Sequence, residues 1–128
     1  MDFIHTDDAP QAIGPYSQAV KAHGFVFCSG QIPVKKDGTL IEGRMPDQTR
    51  QVLENLKAVL LASGSDFSKV VKTTVYLTDM LDFEPMNAVY KEYFGNHKPS
   101  RATVQVAALP KNALIEMDCI ALADEPPL

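Results

Sequence analysis

Two charged residues in the last third of the chain, an arginine and a glutamate, are the best candidates for chemistry. Arg101 follows Pro99 and Ser100 at the predicted start of a strand, where its guanidinium can bind a carboxylate through two parallel hydrogen bonds. Glu116 lies in the middle of a partly apolar strand, where desolvation would raise its pKa and suit the carboxyl to proton transfer or to orienting water. A structural ion pair between the two strands explains the same spacing about equally well.

The alternation of apolar and polar residues predicts where these charges point. We expect a hairpin of two strands, residues 101–107 and 113–122, joined by a short turn. The apolar positions are Ala102, Val104 and Val106 in the first strand and Ile115, Met117, Cys119 and Ala121 in the second. Both apolar sides must contact the helices, whose apolar stripes need to be covered. Arg101 and Glu116 therefore point the same way on neighbouring strands, together with Thr103 and Asp118.

Apolar residues share the predicted face of these charges. The set comprises Leu114, Ile120 and Leu122, together with Phe25 and Phe27 near Ser29 of an earlier strand. A two-layer domain on its own would leave these side chains in water, so we expect the protein to self-associate through this face. Charged positions at the edge of the face would then lie in clefts between subunits.

The elements that position these residues follow from turn and helix signals. Strands over residues 18–23 and 25–29 are joined by a tight turn at His23 and Gly24, and a third strand covers residues 70–77. One helix begins at Pro46-Asp47 and ends at Gly64. A second helix begins at Asp82 and ends at Gly95. The order β-β-α-β-α-β-β predicts an α+β fold with two helices on one face of a mixed, mostly antiparallel sheet, forming one domain over residues 1–128.

Composition narrows the function classes. The chain has 128 residues, a formal net charge of -4 and a pI of about 5.2, so a basic face for nucleic acid is not expected. No apolar run is long enough for a membrane span, and the acidic N-terminus is unlike a secretory signal. Cys28 and Cys119 lie in apolar strands and are interpreted as buried free thiols in a reducing compartment. The three histidines lack metal-ligand spacing.

Several motifs in order resemble the reactive intermediate deaminase (Rid/YjgF) family over almost the whole chain. The matching segments are Gly14-Pro15-Tyr16-Ser17-Gln18-Ala19, Ser29-Gly30-Gln31-Ile32-Pro33, Val71-Lys72-Thr73-Thr74-Val75, Pro99-Ser100-Arg101, Val106-Ala107-Ala108-Leu109-Pro110 and Ile115-Glu116. The resemblance implies a chorismate-mutase-like fold, a homotrimer with sites between subunits, and hydrolysis of 2-imino acids such as 2-iminobutanoate and 2-iminopropanoate without a cofactor. From the N-terminus and the free cysteines we expect a cytoplasmic protein, with the mitochondrion as the alternative.

The same resemblance assigns roles to individual residues. Arg101 would bind the substrate carboxylate, and Glu116 would position water and move protons. Tyr16 would close the pocket with its hydroxyl, although a core aromatic is about as good an interpretation from sequence alone. The remaining residues implied at the site are Ser29, Gly30, Asn87 and Thr103, the last at a position where many members of the family have cysteine. A non-catalytic, chaperone-like or ligand-binding trimer is the alternative function.

Overall fold

A six-stranded sheet carries two long helices on one face in the computed structural model, which describes residues 1–124. The elements are β1 (Asp2–Ile4), β2 (Ala19–Ala22), β3 (Phe25–Gln31), α1 (Met45–Ala62), β4 (Val70–Leu77), α2 (Phe83–Phe94), β5 (Ser100–Gln105) and β6 (Ile115–Leu122). The predicted α+β architecture is confirmed. The sequence analysis missed β1, a three-residue edge strand, and residues 125–128 of the predicted domain lie outside the described range.

The strand order is β1-β2-β3-β6-β4-β5, and only β4 and β5 run parallel to each other. The turn between β2 and β3 has φ 51° at His23 and φ 80° at Gly24. Two consecutive residues of positive φ are what a tight two-residue hairpin turn requires. The turn predicted at these two residues is therefore confirmed.

Both helices begin and end close to the predicted residues. Pro46 lies in the first turn of α1, and the Asp47 carboxylate accepts a hydrogen bond from the Arg44 amide at 3.3 Å. Gly64 follows the helix with φ 75°, and Gly95 ends α2 with φ 60°. Asp82 precedes α2 as predicted, but its side chain makes no capping hydrogen bond.

The core lies between the helices and the sheet. Fully buried residues of α1, including Leu53, Leu56 and Leu60, share one apolar cluster with Ile115 and Met117 of β6. The β6 residues that face the helices are thus those predicted from the alternation. Cys28 and Cys119, which are cross-strand partners in β3 and β6, are free, buried thiols in this core, as expected.

The predicted terminal hairpin is wrong, because β4 lies between β5 and β6. The unit β4-α2-β5 is a crossover in which a helix connects two parallel strands, and such a connection places β5 next to β4. β6 instead pairs with β4 on one side and with β3 on the other, both antiparallel.

The prediction that Arg101 and Glu116 share a face is also wrong. Arg101 pairs in register with Thr73, which is fully buried beneath α2, whereas Glu116 pairs with Tyr76 on the opposite face of β4. The alternation in β5 is real, but its polar side faces the helix layer. As an edge strand, β5 extends past the apolar core and contacts polar and aromatic residues of α2 instead.

The face without helices, here called the open face, is partly apolar as predicted. Phe25 pairs with Leu122 and Phe27 with Ile120, and Phe25, Phe27 and Leu122 are 38%, 46% and 47% exposed. Leu114 departs from the prediction, because it packs against the core cluster. Within residues 1–124, no helix has the length and apolar character needed to cross a membrane.

Candidate functional site

Arg101 is held at the edge of the sheet by one polar and two aromatic side chains of α2. Its Nη1 donates a hydrogen bond to Oδ1 of Asn87 at 2.6 Å. Its guanidinium carbon lies 4.8 Å from the ring centroid of Tyr90 and 5.5 Å from that of Phe83. These three α2 residues are four and three positions apart, so they form one side of the helix. The guanidinium is therefore oriented by cation–π contacts and a single amide.

No carboxylate neutralises Arg101 within the described part of the chain. The ion pairs there join His5 with Asp7, Arg50 with Glu92, and Lys69 with Asp124. The alternative of a structural ion pair between Arg101 and Glu116 is therefore wrong. Within residues 1–124 the side chain that accepts a hydrogen bond from this half-buried guanidinium at 2.6 Å is a neutral amide, so the guanidinium retains donors for an anion.

The Tyr90 ring that contacts Arg101 is itself held in place by a buried hydrogen bond. The Tyr90 hydroxyl and the Thr73 hydroxyl are hydrogen bonded at 2.8 Å in the buried layer between α2 and β4. Burial raises the pKa of Tyr90, so the phenol stays protonated as a neutral partner. The position of Arg101 consequently depends on contacts that reach from β4 through α2 to β5.

Glu116 lies half-buried on the open face, and its carboxyl is next to Gly30 of the neighbouring strand β3. A Cβ added at Gly30 would lie 2.5 Å from Oε2 of Glu116, which is closer than carbon and oxygen atoms can approach. Glycine at this position therefore leaves room for the carboxyl, as expected from its missing side chain. Burial, followed by the charge of Asp118, raises the pKa of Glu116. Asp118 in turn accepts a hydrogen bond from the Tyr76 hydroxyl at 2.9 Å.

The segment around Tyr16 borders the Glu116 side of the sheet. The Ser29 hydroxyl donates to the Ser17 carbonyl at 2.6 Å and so fixes this segment to β3. Tyr16 is 54% exposed, which contradicts its interpretation as a core aromatic, and its hydroxyl accepts a hydrogen bond from the Ile13 amide at 3.3 Å. Tyr16 and Gly30 both line a hollow of about 230 Å³.

The predicted site residues thus form two groups on opposite faces of one chain. The first, here called the arginine group, consists of Arg101, Asn87 and Thr103; the second, the glutamate group, consists of Glu116, Gly30, Ser29 and Tyr16. Thr103 is two residues beyond Arg101 on the same side of β5, and its hydroxyl oxygen is buried without a hydrogen-bond partner among residues 1–124. With β4 between the strands, the backbones of Arg101 and Glu116 are roughly 14 Å apart by standard strand spacings.

Sequence reasoning missed the residues that support the two charges. Tyr90, Phe83 and Tyr76 are not among the predicted site residues. A signal was available in α2, since Asn87 is four residues after one aromatic residue and three before another. No comparable signal existed for Tyr76, because its contact with Asp118 depends on β4 being the neighbour of β6.

The architecture is the chorismate-mutase-like fold, which is seen in closely similar solved structures. E. coli TdcF with bound serine superposes with a TM-score of 0.91 at 43% identity, covering 97% of this chain and 100% of that one. RidA from an Antarctic Psychrobacter gives a TM-score of 0.92 at 43% identity, covering 95% and 99%. The fold expected from the resemblance is therefore confirmed.

The family model described as Endoribonuclease L-PSP matches residues 6–123, and the chain belongs to this family, also called YjgF/Rid. A RutC family protein of Pyrococcus horikoshii is 55% identical over 121 residues, which cover 94% of this chain and 96% of the relative. The human protein named 2-iminobutanoate/2-iminopropanoate deaminase is 47% identical over 120 residues, covering 93% and 88%. Relatives with deaminase names are thus similar to this chain along almost its full length.

Proposed function

We propose that the protein hydrolyses 2-imino acids to 2-oxo acids and ammonia. The observation that supports this most directly is the Arg101 guanidinium, which is half-buried, oriented by α2 and free of any acidic partner among residues 1–124. Such a cation matches the carboxylate that every 2-imino acid carries next to the reacting carbon. The deaminase names of similar proteins agree with this chemistry.

Glu116 is the group that moves the protons in this proposal. Its carboxylate takes a proton from water as the oxygen attacks C2 of the substrate, so that the C=N double bond becomes a single bond. The glutamic acid then returns this proton to the nitrogen, which gives a carbinolamine with a hydroxyl and an amino group on C2. Glu116 next takes the proton of that hydroxyl and passes it to the amino group, so that the C=O double bond forms as the C–N bond breaks and ammonia leaves. Its pKa, raised by burial and by Asp118, brings the carboxyl closer to the neutral pH at which it must both accept and release a proton.

The complete site is proposed to form between two copies of the chain. Since the two groups lie on opposite faces, Arg101 and Glu116 of a single chain cannot both contact a three- or four-carbon acid. The partly apolar open face provides a surface on which the β5 edge of another copy can pack. We propose a homotrimer, as the family resemblance implies, with the arginine group of one subunit facing the glutamate group of the next.

A coupled assay tests the proposed reaction. A threonine dehydratase generates 2-iminobutanoate, semicarbazide traps the imine that escapes, and the release of 2-oxobutanoate is followed with and without the protein. We expect the parent protein to reduce trapping and accelerate oxo-acid release, and Arg101→Ala to do neither although its oligomeric state is unchanged. Equal rates for the parent protein and Arg101→Ala would show that Arg101 does not bind the substrate.

A ligand-binding function without catalysis is the second candidate. It is favoured by the structure of E. coli TdcF, which was obtained with bound serine. Under this alternative, small amino or oxo acids would bind saturably, imine hydrolysis would not be accelerated, and Glu116→Gln would bind ligand as well as the parent does. The family description includes the name endoribonuclease, but a net charge of -4 does not favour an RNA-binding face.

A further inference from the structure

A second hollow adjoins Arg101 and is separate from the glutamate group. It has a volume of about 520 Å³ and lies between the C-terminal half of α2 and the segment that leads into β5. Tyr90 and Phe94 form its apolar wall, and Lys91 and Lys98 extend from its rim. Arg101 and Asn87 also line it, so a ligand bound to Arg101 has this space beside it.

The charged side chains that line this hollow are positive in the described range. Arg101, Lys91 and Lys98 line it and no aspartate or glutamate of residues 1–124 does, although the chain has 16 acidic and 12 basic residues. In the part of the chain that the structure describes, none of the three cations takes part in an ion pair. Lys91 also lies in the last turn of α2, where a cation complements the helix dipole. The helix dipole therefore explains a cation at Lys91, but it does not explain the cations at Lys98 and Arg101.

A ligand with one negative charge would use only part of this arrangement. A single carboxylate bound by the fork of Arg101 would leave Lys91 and Lys98 without a counter-charge. A second anionic group on the same ligand would lie near both ammonium groups, which can reach it because lysine side chains are long and flexible. The volume also exceeds the needs of a three-carbon acid and falls within the range of ordinary ligand pockets.

We propose that the site accepts imino acids with a second anionic group, such as 2-imino dicarboxylates, and binds that group between Lys91 and Lys98. This inference rests on the proposed function, because it takes Arg101 as the residue that binds the first carboxylate. The reaction that supplies such a substrate would be one that removes two hydrogens from the amino group and α-carbon of an acidic amino acid.

Binding of stable product analogues tests the proposal without any turnover. 2-Oxoglutarate and 2-oxopentanoate have the same number of carbons, but only the first ends in a second carboxylate. By calorimetry at low ionic strength, we expect 2-oxoglutarate to bind about five- to ten-fold more tightly, the effect of two exposed charge contacts. In about 1 M salt the ratio should fall to near one, because exposed charges are screened.

A pair of variants separates the pocket from the overall charge of the protein. In Lys91→Gln/Lys98→Gln, the affinity ratio of the two oxo acids should fall to about one at low salt. Lys35→Gln/Lys57→Gln is the matched control, because it removes the same charge from a separate hollow beside α1 and should keep the ratio of the parent. Arg101→Ala should weaken the binding of both acids.

The outcomes distinguish this inference from the proposed function. Equal affinities in the parent protein, no binding of either acid, or a ratio that survives in Lys91→Gln/Lys98→Gln would each overturn the inference. Hydrolysis of 2-iminobutanoate is measured independently, so the deaminase function can stand when the second anion site fails. If 2-oxoglutarate is preferred but no imine is hydrolysed, the hollow is an anion site and the deaminase proposal falls.

Discussion

Arg101 and Glu116 meet different physical requirements although both are half-buried ionisable residues. The arginine is oriented by Asn87 and by aromatic rings, which leave its outward donors available. The glutamate is placed where its charged form is disfavoured, by burial first and by Asp118 second. One residue is thus suited to bind an anion and the other to exchange a proton.

Gly30→Ala should reduce imine hydrolysis about 10²-fold, because the new Cβ would displace the Glu116 carboxyl by a distance on the order of 1 Å. The φ angle of Gly30 is not in the left-handed region, so alanine adds no backbone strain and the fold should be kept. The measurement is kcat/KM together with the thermal midpoint. The clash with Glu116 should also lower the thermal midpoint of the parent protein. In a Glu116→Ala background Gly30→Ala should leave the midpoint unchanged, and an equal decrease in both backgrounds would show that the added Cβ clashes with another group.

Glu116→Gln should raise the thermal stability at neutral pH while reducing turnover. Because the pKa of Glu116 is raised in the folded state, its carboxyl costs stability at any pH above the ordinary glutamate pKa, and the cost is complete above the raised pKa. A neutral amide removes this cost. The gain should shrink as the pH falls and vanish below the ordinary glutamate pKa of about 4.3, where the carboxyl is protonated in both states. Thermal midpoints from pH 3.5 to 8 check this, and a loss of stability at pH 7 would contradict it.

At the scale of elements, α2 determines how Arg101 is presented. Tyr90→Phe keeps the ring beneath the guanidinium but leaves the buried Thr73 hydroxyl without a partner, which should cost about 1–3 kcal/mol of unfolding free energy. Tyr90→Leu also removes the ring and should raise KM for the imine more than Tyr90→Phe does. Denaturant titrations measure the loss of unfolding free energy, and KM values measure the effect of losing the ring. Thr73→Val, which removes the other half of the hydrogen bond, should leave the ring contact in place.

Local patterns predicted most of the elements correctly. Helical spacing and the glycines at 64 and 95 located the helix ends, and the alternation in β6 identified its buried side. The pairing of strands could not be read in this way, because it depends on contacts distant in sequence. Two consecutive strands with a short connection predict a hairpin, whereas the crossover through α2 places β4 between them.

The prediction that Arg101 shares a face with Glu116 failed for a separate reason. Parity arguments assume that the apolar side of a strand covers the core, and this holds for β6 at the centre of the sheet. It fails for β5, where the helix-facing side touches Asn87 and Tyr90 at the margin of the core. The choice of candidate residues is independent of this parity, because motif resemblance does not depend on which face a side chain occupies.

At the scale of the whole molecule, the separation of the two groups becomes the strongest argument for assembly. The open face exposes Phe25, Phe27 and Leu122, and burying them against another copy would release water from apolar surface. A small substrate that needs both the arginine and the glutamate group can then be held only where two copies meet.

Mixing two inactive variants tests this directly. Arg101→Ala lacks the carboxylate-binding group and Glu116→Gln lacks the proton-transferring group, so each alone should be inactive. When the two are co-expressed in equal amounts, random assembly with head-to-tail contacts should form an intact Arg101–Glu116 pair at about a quarter of the sites, because each half is intact with a probability of one half. We therefore expect about a quarter of the parental activity from the mixture.

The double variant carrying both changes in one chain is the control and should stay inactive. If the mixture recovers no activity although mass spectrometry shows mixed oligomers, then each site is built from a single chain, and the two faces of the sheet must be connected by a movement that the structure does not contain.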